Sequence, residues 1–183
     1  MCNIRHGVES FIVEEIIEEH TLEGREITVT WRGSAFTPPR YLIKQASGIC
    51  ITEEGLIVLV TGDGESWGLP GGHPENDETV KDAFIREVRE EACATVMHLE
   101  YLGVSEVKDA GNPEGLTINY QARFWARVRL DEFKPEYETT GRKLVTPENM
   151  IPALNWHPAG IIGIILKAAL ECEQIYKLNG NHK

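Results

Sequence analysis

No run of Lys and Arg gathers anywhere in this 183-residue chain. Basic side chains number 18 against 29 acidic ones, a formal charge of −11, and such a surface repels a nucleic-acid backbone. A nucleic-acid polymer is thereby excluded as the main ligand. A small anionic substrate stays open, provided metal ions offset the charge. Cysteine is scarce too. Cys2, Cys50, Cys93 and Cys172 stand far apart with no CxxC pair, which is neither a zinc pattern nor a dense disulfide framework. Reduced thiols and a cytoplasmic setting are expected. The opening "MCNIRHGVES" has no apolar core of a signal peptide. The longest apolar run, "AGIIGIILKAAL", is too short to span a bilayer and carries Lys167, so no membrane association is expected. Internal repeats and low-complexity segments are absent.

What is present reads as one ordinary domain, 42% hydrophobic and 26% charged, long enough to bury a core without staples. Ser10 to His20 places Ile12, Val13, Ile16 and Ile17 at a helical spacing, with Ser10 as cap and Gly24 as stop; its β-branched content keeps a strand open. "REITVTWRG" alternates as a half-buried strand, and the paired prolines of "SAFTPPR" end it. "YLIKQASGICI" and "GLIVLV" form two strands around a turn at Thr52 to Gly55. "TGDGESWGLPGGHPEND" is loop, with a glycine density that points to function. "DETVKDAFIREVREEA" is a helix capped by Asn76 or Asp77, with Val80, Ala83, Phe84 and Val88 facing the core. Two long strands follow around "DAGNPEG". An acidic loop and the strand "KLVT" come next, then a helix from Pro158 to about Tyr176. This order predicts an α+β fold, an α/β/α sandwich with a mixed sheet.

The helix raises an electrostatic question. Glu87, Glu90 and Glu91 lie three and four residues apart and project from one side. Each like-charge pair costs about 0.2–0.5 kcal/mol. Glu90 and Glu91 also sit near the helix C-terminus, where the dipole disfavours anions by roughly 0.3–1 kcal/mol each. One reading is a solvated charged face. The other is a site for a hard divalent cation, which would turn the repulsion into attraction.

The stretch resembles the box of the Nudix hydrolase family. Gly72, Glu78, Arg86, Glu87, Val88, Glu90 and Glu91 stand at its positions, with "WGLPGG" upstream. Six exact matches arise by chance with odds on the order of 10⁻⁴ over all starting points at this composition. Cys93 replaces the box glycine just past the helix end. It costs on the order of 1 kcal/mol if it must adopt a left-handed conformation, and it is read as structural. The resemblance covers 41–178 as a Nudix domain. It leaves 1–40 as an N-terminal extension, a candidate dimerisation arm for a homodimer, and 179–183 as a tail.

The resemblance implies a pyrophosphohydrolase that cleaves a nucleoside diphosphate linked to another moiety, with Mg²⁺ or Mn²⁺ held by Glu87, Glu90, Glu91 and the Gly71 carbonyl. Glu87, Glu90, or a later-loop acid (Glu136 or Glu138) serves as general base. Arg86 orients a carboxylate, Glu78 braces the loop, and Gly72 permits close approach. Trp67, with Phe36 and Tyr41, is a candidate to stack on a base, against ordinary packing. Arg127, among the alternating Arg123, Arg127 and Arg129, is a candidate phosphate contact, against an outward basic face. Pro70-Gly71 stands where ADP-ribose pyrophosphatases commonly have Pro-Ala, and no "RQYR"-like strand precedes it. That tilts the substrate toward nucleoside triphosphates or oxidised nucleotides. ADP-ribose or nucleotide-sugar cleavage and a nucleotide-sensing module are the alternatives.

Overall fold

Strand alternation buries both faces of a single sheet. In a computed structural model describing residues 16–180 apart from 76, 114, 136, 155 and 157, the strands are β1 (Ile17–Leu22), β2 (Arg25–Gly33), β3 (Ile43–Ile51), β4 (Ile57–Thr61), β5 (Gly71–Gly72), β6 (Ala94–Lys108), β7 (Ile118–Leu130) and β8 (Gly141–Val145). The sheet runs β1-β2-β6-β7-β3-β4-β8, with the short β5 added to β3. Only β3 and β7, at its centre, are parallel; the other pairs are antiparallel. The sheet is therefore mixed, and helices cover both sides, as expected.

On one side α1 (Val80–Ala92) packs Ala83, Phe84 and Val88 against Cys50, Val58, Ala122, Phe124 and Ala126. The other side carries α2 (Pro147–Leu154) and α3 (Gly160–Gly180). Met150, Leu154, Ile161 and Ile165 meet Ile49, Ile57, Leu59 and Trp125 there. Period two in β7 sends Ala122, Phe124 and Ala126 to α1 and Trp125 to α3. No described helix is long and apolar enough to cross a membrane.

Several local expectations change. The helix expected over Ser10 to His20 falls partly outside the described residues; its remainder is strand β1. Gly24 does not stop a helix but closes a hairpin. Glu23 (φ 51°) and Gly24 (φ 79°) both take positive φ, the turn that matches strand twist, and the hairpin then pairs through β2 with β6. The cap of α1 is Thr79, whose Oγ1 accepts the Asp82 N–H at 3.0 Å. Asp77 has φ 72°, unlike the extended backbone of a cap, and Asn76 lies outside the described residues. The helix α2 was not expected. Pro158 lies just before α3, which begins at Gly160 and runs to Gly180.

Cys93 does take the left-handed conformation, φ 45° and ψ 56°. It is buried, and Arg142 Nη1 donates to the Ala92 and Cys93 carbonyls at 2.7 and 2.9 Å, satisfying the helix end.

The outward basic face on β7 is also overturned. Arg123 and Arg127 are 8% and 7% exposed and lie beneath the α3 side; of the three, only Arg129 is exposed. Arg127 pairs with buried Glu173 of α3 and stacks over the Tyr176 ring. Removing one partner of such a pair strands the other. Glu173→Ala is expected to cost about 3 kcal/mol, and the double replacement Arg127→Met, Glu173→Leu to recover most of it. Urea unfolding of the three proteins checks this.

Candidate active site

The glycine pair Gly71–Gly72 joins the loop to the sheet, pairing with Ser47 and Ala46 of β3. Gly71 has φ 151°, and a Cβ there would lie 2.2 Å from the Ser47 Cβ. A Cβ on Gly72 would lie 2.3 Å from Glu87 Oε1. Gly71 therefore needs glycine against the β3 backbone, while the space beside Gly72 is taken by the Glu87 carboxylate. The backbone of this pair also reaches α1, because the Gly71 N–H donates to Glu91 Oε2 at 2.8 Å.

Arg86 organises the rest. Its Nη2 donates to Glu78 Oε1 at 2.9 Å and to the His73 carbonyl at 3.1 Å, tying the loop to the helix. Its Nη1 donates to Glu87 Oε1 at 2.9 Å and Glu90 Oε2 at 3.1 Å. Glu78 further accepts the Glu75 N–H at 2.7 Å. One guanidinium thus spans three carboxylates and a loop carbonyl. Arg86 holds the Glu78 carboxyl below the usual carboxylate range, through its hydrogen bond first.

The acids deeper in the cluster respond differently. Burial raises Glu87, and Arg86 offsets part of the rise. Glu91 is pushed up to about 7, by burial first and then by Glu87, Glu138 and Glu90, while the Gly71 N–H opposes the shift. Glu138, exposed on the loop before β8, is therefore within electrostatic reach of Glu91. Glu136 lies outside the described residues.

As the side chains stand, no three His, Cys, Asp or Glu groups among the described residues are drawn together to hold an ion. The reason is visible in the contacts: Arg86 donates to both Glu87 and Glu90, and Glu91 turns an oxygen to Gly71. The donor set nevertheless suits a hard cation. Several carboxylate oxygens converge in a partly buried place, with Arg86 as the cation among them. Gly71 contributes its N–H to the cluster in this arrangement, whereas the expectation concerned its carbonyl.

The other candidates lie apart from the acids. Trp67 packs with the α3-side core, with the Lys143 ammonium 4.1 Å from its ring centre. Phe36 rests on Tyr120, ring centres 5.6 Å apart, and Tyr41 is exposed. Arg127 is engaged by Glu173. Beyond the sequence reading lies a cleft of about 650 Å³ under α3, lined among others by Gln45, Ser47, Gln121 and Arg123. Its signal was polar residues on the buried parity of β3 and β7, which local pattern does not distinguish from an outward face.

The family profile described as NUDIX domain matches residues 42–163. The chain is 33% identical over 128 residues to "Nudix hydrolase 16, mitochondrial" of Arabidopsis thaliana, spanning 66% of this chain and 70% of that relative. Among solved structures it resembles a point mutant of the Bacillus subtilis pyrophosphohydrolase BsRppH, with TM-score 0.62 and 23% identity over 85% of this chain and 97% of that one. It also resembles a NUDIX hydrolase from Nitrosomonas europaea, with TM-score 0.54 and 17% identity over 69% and 87%. These structural likenesses show the fold.

The raised Glu91 carboxyl sets a pH dependence of stability. Unfolded, it ionises near 4.5; folded, near about 7. Its contribution is full below 4.5 and is lost as pH rises through about 7, because ionisation then favours the unfolded chain. Glu91→Gln cannot ionise. It is expected to raise the Tm of metal-free protein at pH 8 by about 2–4 °C, with the gap closing near pH 4.5. Calorimetry in EDTA at the two pH values measures it.

Proposed function

The chain belongs to the Nudix family, hydrolases of phosphorus-containing acid anhydrides, and from that premise we propose that it cleaves the pyrophosphate of a nucleoside diphosphate derivative with Mg²⁺ or Mn²⁺ at α1. The placing of Glu87, Glu90 and Glu91 on one helix, with Glu87, Glu90 and Glu138 all in electrostatic reach of Glu91, carries this reading. An arrangement that raises its own carboxylates is disfavoured unless a cation relieves it. Glu87, Glu90 and Glu91 would hold the metal, which when bound neutralises phosphate oxygens and activates water.

The chain's own groups supply the rest. Arg86, anchored on Glu78 and His73, orients Glu87 and Glu90. The Gly71–Gly72 backbone, without side chains, lets β3 and the Glu87 carboxylate pack directly against the loop. Hydrolysis joins a water oxygen to phosphorus, breaks the bridging P–O bond and releases the two phosphorylated halves. The water's proton goes to a carboxylate. Glu138, coming from a separate loop and open to solvent, is assigned that role. Within the class, nucleoside triphosphates or oxidised nucleotides are the preferred substrates, on the Pro70-Gly71 pair and the missing "RQYR"-like strand.

A panel of nucleoside triphosphates, oxidised nucleotides, ADP-ribose and nucleotide sugars, assayed with Mg²⁺, with Mn²⁺ and with EDTA, tests this. Activity is expected only with metal. Glu90→Gln and Glu91→Gln are expected to lower kcat/KM by about 10²-fold or more, and Glu138→Gln to lower kcat by about 10²-fold. Full activity in EDTA, or in the Glu90 and Glu91 variants, contradicts the assignment. Tight nucleotide binding without turnover would favour a sensor instead.

A further inference from the structure

Arg123 is the least explained charge in the molecule. It sits on central strand β7, 8% exposed. Its guanidinium donates only to neutral acceptors, Ser47 Oγ and the side-chain oxygens of Gln45 and Gln121. No carboxylate pairs with it among the described residues, and its Nε is buried without a hydrogen-bond partner. A buried guanidinium without a counter-ion is costly, and an apolar side chain would serve the core better. Burial alone draws its pKa down to about 10, with no anion to hold it up.

The surroundings point to what it faces. Arg123 lines the 650 Å³ cleft under α3. A neighbouring cleft of about 720 Å³ shares His20, Val29, Gln45 and Gln121 with the first and adds Lys44 and His73. Lys44 likewise has no acidic partner among the described residues. Each cleft also holds one acid, Glu18 in the first and Asp109 in the second. Glu18 accepts the Ile161 N–H at 2.8 Å and lies near His20, while Asp109 is paired with Arg25. Glu18 also stands on β1, separated from β7 by β2 and β6. On a chain of net charge −11, Arg123 in the first cleft and Lys44 in the adjoining one, neither paired with a carboxylate among the described residues, favour an anion there.

The hollow and the α1 acids lie on opposite faces of the sheet but share one loop. Ser47, which Arg123 touches, pairs with Gly71, and Gly71 donates to Glu91. Gly68 and Leu69 line one cleft and His73 the other, so the box loop forms part of both walls. The opposite wall is the β1–β2 hairpin, outside the matched residues 42–163.

We propose that Arg123, assisted by Lys44, is the subsite for a phosphate group on the part of the substrate remote from the hydrolysed anhydride. Among nucleoside diphosphate derivatives that carry a linked organic moiety, those with a further phosphate away from the anhydride, as on a ribose 2′- or 3′-hydroxyl, are then favoured. This rests on the assignment of hydrolysis to α1. Gln45 and Gln121 release Arg123 to the phosphate when it enters and hold the cation in its absence.

Matched pairs differing by one remote phosphate test this in the full chain: NADPH against NADH, and coenzyme A against dephospho-coenzyme A. The phosphorylated member of at least one pair is expected to be favoured about 10- to 100-fold in kcat/KM. Arg123→Gln should bring that ratio to within about twofold of one, and Arg123→Lys should retain part of it. A wild-type ratio near one in both pairs, or a ratio that survives Arg123→Gln, overturns the proposal. Should Arg123→Gln fail to fold, an undiminished ratio in Arg123→Lys does the same. If neither pair is hydrolysed, calorimetric titration of inorganic pyrophosphate in EDTA decides separately. Saturable binding weakened in the Arg123 variant upholds the subsite, while the nucleotide panel above judges hydrolysis separately; no binding overturns the subsite.

Discussion

A single guanidinium amid crowded carboxylates is the constraint on which the site depends. Arg86 bonds Glu78 and the His73 carbonyl on the loop side, and Glu87 and Glu90 on the helix side. Without it the loop and helix would present bare like charges to each other. With it, loop position and carboxylate orientation become one property. The Gly71–Gly72 pair completes the coupling from beneath, since its missing side chains let β3, β5 and α1 approach at one point. One cation still does not balance this many acids; Glu91 is raised by burial first, and Glu87, Glu138 and Glu90 add to the rise. In the proposed function, that unbalanced charge is what a divalent ion would relieve.

The sheet divides the labour between its faces. Its α1 face carries a dry packing of Phe84, Phe124 and small alanines that fixes the helix. Its α3 face is part core and part hollow, with polar Gln45, Ser47, Gln121 and Arg123 where strand parity would otherwise bury apolar groups. Family hydrolysis needs the first face to be rigid. The proposed phosphate subsite lies on the second, where the β1–β2 hairpin adds a wall outside the family match.

Much of this was legible in the sequence because the local signals were strong. The strand "REITVTWRG" is β2 to the residue, and the apolar spacing of Ala83, Phe84 and Val88 identified the face of α1. The box residues were legible through their resemblance to the family pattern. Other features were hidden for specific reasons. The run ending in His20 has helical and strand character together, and the Glu23–Gly24 turn decides it only by pairing β1 with β2. Pro152 inside α2 masks an eight-residue helix. Thr79 outcompetes Asp77 as cap because Asp77 is held at positive φ. Arginines alternating with apolar residues on β7 read as an outward face. Only α3, lying over that strand far along the chain, makes it inward.

Titration of metal-free protein with Mn²⁺, followed by the electron paramagnetic resonance of the free ion, tests the central claim most directly. The wild type should remove Mn²⁺ from solution saturably, and the Glu87→Gln, Glu90→Gln, Glu91→Gln triple variant, folded as judged by circular dichroism, should not. Equal uptake by both proteins would show that the α1 carboxylates are not the cation site.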